Sequence, residues 1–183
     1  MIKNYFSLAA LMIILLSGCA QKAQVSNMTV HMNDQTKIAN ADLKESLSVK
    51  TVSGGQETSP MWTSEVDDAS FKKALEESLK SAGFYSENAA SSYYIIVHLL
   101  ELDQPFAGFD MTVTAKVRYI IFNKKTEEKL FEESLGIPYT ATVGDAFLGV
   151  KRLQLANEGA IRENIKAFIE RLYSLKVDNL SVQ

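Results

Sequence analysis

The chain has 183 residues, of which 46% are hydrophobic and 22% charged, with a formal net charge of −3. So much apolar content with so little charge excludes a disordered chain, and a single cysteine excludes both a disulfide framework and a cysteine zinc site. The 19 basic residues are outnumbered by 22 acidic ones and spread along the sequence, which leaves no basic surface of the kind nucleic acid requires.

Residues 1–18 read as a signal peptide. Lys3 supplies the positive start, and Leu8 to Leu16 is an unbroken apolar run, too short to span a bilayer as a helix. Leu16-Ser17-Gly18-Cys19 follows. Small residues before a lone cysteine suit a peptidase that cleaves after the thiol has accepted a diacylglycerol, so the pattern looks like a bacterial lipobox, with Cys19 as the lipid-modified first residue of the mature chain. Two or three acyl chains, palmitate among them, would hold the protein to a membrane through about 0.8 kcal/mol per buried methylene. In lipoproteins of Gram-negative bacteria an aspartate after the cysteine marks retention in the inner membrane. Ala20 stands there instead and implies the outer membrane, with the protein facing the periplasm.

Residues 19–44 are polar and short-sided, and read as a lipid-anchored flexible tether in which Val30 and Met32 could form a short edge strand. Residues 45–176 suit a single α+β domain, leaving 177–183 as a C-terminal tail. Leu47 to Val52 alternates at period two and stops at Gly54-Gly55, as a half-buried strand does. A helix is expected from Ser64 to Ala82, with Ser64 and Asp67 as a capping box, Gly83 as a left-handed C-cap, and Phe71, Ala74, Leu75, Ser78, Leu79 and Ala82 as its buried stripe. Tyr93 to Leu102 is an apolar strand with Tyr93, Ile95, Val97 and Leu99 inward and His98 on the other surface. From Asp110 to Phe122 the alternation puts Met111, Val113, Ala115, Val117, Tyr119 and Ile121 on one face. Asn123 to Thr126 is a hairpin turn, and the partner strand runs from Lys129 to Tyr139, ending near Pro138. A closing helix from Gly149 to Ser174 lines up Val150, Leu153, Ile161, Ile165, Phe168 and Leu172. Asn157 and Asn164 fall inside its apolar arc, where amides need hydrogen bonds and serve best as anchors to a loop or strand. Glu158 and Arg162 read as a solvated i,i+4 pair. The element order β-α-β-β-β-α predicts a two-layer sandwich, two helices on one face of a mixed four-stranded sheet, with a parallel pair where the first helix crosses over.

Catalytic chemistry finds no pattern here. His31 and His98 have no second histidine or cysteine at ligand spacing, so no metal site is expected. There is no Gly-x-Ser-x-Gly, no phosphate-cradling glycine loop and no His-Glu-x-x-His. The carboxylates Asp68, Glu76, Glu77, Glu163 and Glu170 read as helix exterior, and no cofactor is implied. What stands out is apolar loop content. Phe106 and Phe109 lie in the 103–109 connection, Trp62 just before the first helix, and Tyr139, Phe147 and Leu148 in or beside the 139–148 connection. The strand directions bring these loops to one end, expected to be opposite the end where the tether arrives. Such a patch is a binding site for an envelope protein or lipid, or else a cap on the core, the role that best suits Trp62 and Phe109.

The lipobox, the Tyr-x-Ile-x-Val-x-Leu strand (93–99), the Thr-Val-Thr-Ala-x-Val-x-Tyr strand (112–119) and the closing helix with Ala156-Asn157-Glu158 and Asn164-Ile165 together resemble the small envelope lipoproteins of the YajG type. In layout, residues 45–175 also resemble the lipopolysaccharide-assembly lipoprotein LptE. The first resemblance implies a non-enzymatic outer-membrane lipoprotein. The second implies a plug or chaperone for an outer-membrane barrel that contacts lipopolysaccharide. The alternative function is a carrier that holds a lipid or other apolar molecule between sheet and helices.

Overall fold

The computed structural model describes residues 21–32, 42–56 and 65–175. Cys19, Ser64, Trp62 and the 177–183 tail lie outside these residues. The elements are α1 (Val25–Met28), β1 (Leu47–Ser53), α2 (Asp68–Ser81), β2 (Tyr93–Asp103), β3 (Met111–Asn123), β4 (Lys129–Ala141) and α3 (Gly149–Ser174). The sheet has the order β1-β2-β3-β4, with β1 and β2 parallel and the other pairs antiparallel. Both long helices pack on one face, α2 over β1 and α3 over β3 and β4, so the expected α+β two-layer sandwich is what forms.

The alternation of β3 holds along its whole length. Met111, Val113, Ala115, Val117, Tyr119 and Ile121 are all buried, beside Ile95, Val97 and Leu99 of β2. β1 is less regular, because its pairing with β2 shifts register between Val49 and Thr51 and the alternation breaks at Lys50. β4 continues past Pro138 to Ala141. Proline is tolerated because β4 is an edge strand, where a missing N–H costs no ladder bond.

The helix α2 begins at Asp68, four residues later than Ser64. Its cap is Asp67, whose carboxylate accepts from the Ser70 N–H at 3.0 Å. Burial pushes the Asp67 carboxyl up, but the Ser70 hydrogen bond and the Lys22 ammonium 3.0 Å away hold it below the usual carboxylate range. Its C-terminus is a Schellman motif. Gly83 adopts φ +77°, its N–H bonds the Lys80 carbonyl, the Phe84 N–H bonds that of Leu79, and Phe84 and Leu79 are both buried.

In α3, Ala156, Ala160, Ile161, Ile165, Phe168, Ile169 and Leu172 are buried, whereas Val150 is exposed and Leu153 only half-buried. Asn164 is an anchor, as its place in the arc implies. Its amide donates to the Ala115 and Leu135 carbonyls at 2.8 and 2.9 Å and accepts from the Tyr119 hydroxyl at 2.9 Å, tying α3 to β3 and β4. Tyr119 stacks on Phe168 with centroids 4.0 Å apart, and its burial pushes the phenol well above its ordinary range. A Cβ on Gly159 would lie 2.2 Å from the Tyr139 ring, so α3 crosses β4 at a distance only glycine permits.

Residues 21–32 differ most from expectation. Read from the sequence as tether, they lie in the groove between α2 and α3, with Ala23, Met28 and Val30 buried in the core; Leu43, also read as tether, is fully buried. Val30 and Met32 form no edge strand. Their N–H groups donate to the hydroxyls of Ser78 and Ser81 on α2, since helices rather than strands flank them. Glu158, read as solvated, is 1% exposed. Its carboxylate accepts from the Gln24 N–H (2.8 Å), the Asn27 amide (2.8 Å) and the Gln154 amide (2.9 Å), while Arg162 donates to the Asn27 carbonyl rather than pairing with Glu158. The segment is held by a buried carboxylate that binds backbone and side-chain N–H groups, the arrangement that makes burying a charge tolerable.

Candidate functional site

The strands fix one end of the molecule. β1 and β2 run toward it, β3 leaves it and β4 returns, so the 104–110 and 142–148 loops and the starts of α2 and α3 all lie there, with Met111 paired to Ala141 at the sheet margin. Phe106 is fully exposed, Phe109 and Phe147 keep 87% and 88% exposure, and Leu148 keeps 56%. These side chains are therefore not caps on the core. Phe109, expected to be core, stands in solvent because the core at this end is already closed by Met111, Leu99 and Ala141. Val143 and Val150 add to the same exposed apolar surface.

Arg152 holds the two loops together. Buried in the first turn of α3, its guanidinium donates to the carbonyls of Ala146 (2.8 Å) and Phe147 (2.6 Å) in one loop and Gly108 (3.4 Å) in the other. Asp145 shapes the tip of the second loop by accepting from the Thr142 N–H and hydroxyl, and those bonds hold its carboxyl below the usual range. A cavity of about 290 Å³ opens between the first loop and the start of α3, lined by Phe106, Met111, Val150 and Leu153. Tyr139 is not part of this surface. It points under α3, half-buried against Gly159, with the Arg162 guanidinium 5.3 Å from its ring centre. Of the sequence-predicted residues, Phe106, Phe109, Phe147 and Leu148 come together at this end, Tyr139 does not, and Cys19 and Trp62 lie outside the described residues.

The sequence reading missed Arg152 and Glu158, though each left a signal. A cation in the first turn of a helix opposes the helix dipole, which marks Arg152 as serving something other than its own helix. Glu158 precedes Ile161 and Ile165 by three and seven residues, spacing that belongs to the buried face.

The N-terminal segment runs to this same end. Asn27 bonds Glu158 and Arg162, Gln24 bonds Glu158, and the Lys22 carbonyl accepts from Gln154 while its ammonium reaches Asp67 at the start of α2. Backward from Asn27 the chain climbs α3 toward its first turn. This overturns the expectation that the N-terminus arrives at the end opposite the loops, and the cause is the packing of Ala23, Met28 and Val30 along the helix groove.

Among the described residues no cluster of His, Cys, Asp and Glu could hold a metal ion, and no helix is long and apolar enough to cross a membrane. His98 accepts or donates at 2.8 Å to the Ser53 hydroxyl on the neighbouring strand, a structural contact.

No family model matches the sequence, and no curated protein matches it by sequence. The fold does have relatives. A Xanthomonas campestris protein of the family DUF330 superposes with a TM-score of 0.54 at 10% identity, covering 75% of this chain and 90% of that one. A candidate lipoprotein of Caulobacter crescentus gives 0.51 at 11% identity over 71% of this chain and 89% of its own. A hypothetical protein of Chlamydia trachomatis gives 0.51 at 11% over 72% and 97%. At these identities the likeness is one of fold.

Proposed function

We propose that this chain is a non-enzymatic lipoprotein of the bacterial envelope, acylated on Cys19 and held at the periplasmic face of the outer membrane, which engages another envelope component through its apolar loop end. Leu16-Ser17-Gly18-Cys19 and Ala20 support the anchor and its membrane, as does the resemblance to lipoproteins of the YajG type. The fold shared with the Caulobacter candidate lipoprotein agrees with it. The observation that carries the binding role is the exposure of Phe106, Phe109, Phe147 and Leu148 on two loops fastened together by one arginine. Large apolar side chains held in place and exposed together mark an interaction surface.

Metabolic labelling with palmitate tests the anchor. The wild-type chain is expected to take up label and fractionate with membranes, and Cys19→Ser to do neither. An unlabelled wild-type chain would overturn the reading.

A further inference from the structure

We infer that the envelope component met by the apolar loop end is the lipid bilayer that holds the protein's own acyl chains, so that Phe106, Phe109, Phe147 and Leu148 sit in the membrane interface. This deepens the proposed function and rests on the acylation of Cys19. The geometry begins with Lys22, which is fixed by Asp67 at the start of α2 and by Gln154 five residues into α3. Cys19 is three residues away, so its Cα lies within about 10 Å of that of Lys22 however the intervening chain runs. Five residues of helix rise about 8 Å, so this reach includes the level of the loops, whereas Ser174 at the far end of α3 is about 30 Å from Gln154. Cys19 is therefore within reach of the end that carries the exposed phenylalanines and falls about 20 Å short of the other.

The same short reach argues against a protein partner on these loops. A helix with its side chains is about 10–12 Å across, so a protein layer between the loops and the bilayer would need more chain than residues 19–21 supply. Lipid needs no such space. The loop end also has the composition of an interfacial surface. Four exposed large apolar side chains project from a rim carrying both signs of charge, Lys22 and Lys151 with Glu65, Glu101, Asp103, Asp110 and Asp145. A rim with more acidic than basic groups gives no pull toward anionic lipid, so the contact is driven by apolar burial and salt should not weaken it.

The test uses the full acylated protein, whose acylated Cys19 leaves an introduced cysteine as the reactive thiol. Phe106→Cys, Phe147→Cys and, in the hairpin turn at the opposite end, Lys125→Cys are each labelled with an environment-sensitive fluorophore. The proteins are reconstituted into vesicles of phosphatidylethanolamine and phosphatidylglycerol carrying spin-labelled acyl chains as quenchers. Probes at 106 and 147 should shift to the blue and be quenched about twofold or more, with little change on adding salt, while the probe at 125 stays aqueous. Aqueous probes at 106 and 147 in palmitate-labelled protein would overturn the inference and leave the anchor standing. Should those probes be aqueous in vesicles yet shielded in native envelopes, the surface would belong to a protein partner, and again only the inference would fall. Absence of palmitate would bring down the anchor and the inference together. All three positions are exposed, so unchanged thermal melts are expected of the variants.

Discussion

Glu158→Ala is the substitution that most directly probes how the N-terminal segment is held. It removes the acceptor of three hydrogen bonds, from the Gln24 N–H, the Asn27 amide and the Gln154 amide, at 2.8, 2.8 and 2.9 Å. Bonds to a charged group contribute about 1.5–3 kcal/mol each, but the groups left behind are unequal in cost. Gln24 and Asn27 can turn to water once the segment loosens, whereas Gln154, 1% exposed, keeps its bonds to the Lys22 carbonyl and the Lys151 ammonium but is left with one buried amide hydrogen unpaired. The alanine also discards the desolvation cost of a buried carboxylate, which offsets part of the loss. The net expectation is a destabilisation of about 2–4 kcal/mol, read as a fall in the urea midpoint at unchanged slope. Hydrogen exchange locates the loss. Amides of residues 24–30 should lose protection first, while those of β2 and β3 keep theirs, because the segment packs on the helices and takes no part in the sheet. A change below about 0.5 kcal/mol, with protection of residues 24–30 intact, would refute the reasoning, because that is the range of ordinary surface substitutions.

Gly159→Ala should cost about 1–3 kcal/mol in urea unfolding, because the new methyl would meet the Tyr139 ring at 2.2 Å. Pairing it with Tyr139→Ala should cost clearly less than the two changes added together, and strict additivity would show that the close approach is not the cause. The acid limb of the stability profile should respond to Asp67. Its folded pKa lies below the ordinary value of 3.8, so its contribution is present above about pH 4 and is lost as pH falls through the folded value. Asp67→Asn should flatten that loss when thermal melts are compared from pH 5 downward, and an unchanged acid limb would count against the Lys22 and Ser70 contacts.

β3 was legible because one face meets helices and the other solvent, so Met111 to Ile121 had to alternate. The end of α2 was legible because a Schellman motif needs a residue at positive φ, and Gly83 is that residue. Asn164 was legible as a buried anchor because an amide within an apolar arc requires partners. The site was half legible. The two loops and their phenylalanines could be named, but Phe109 and Tyr139 look alike in sequence: Tyr139 is drawn under α3 where that helix crosses β4 at Gly159, and Phe109 is left in solvent because Met111, Leu99 and Ala141 already close the core.

The sequence by itself determined the element order, most of the inward faces and the gathering of the 104–110 and 142–148 loops at one end. Each is written in periodicity or in contiguous motifs. Where residues 21–32 go was decided only by tertiary structure. A polar stretch with a few apolar residues satisfies the pattern of a solvated tether equally well. Only the groove between α2 and α3, with Glu158, Ser78 and Ser81 along its walls, offers partners for both its backbone and its side chains. That docking reverses the end toward which the N-terminal segment runs, because its partners on α3 lead back to the first turn of that helix.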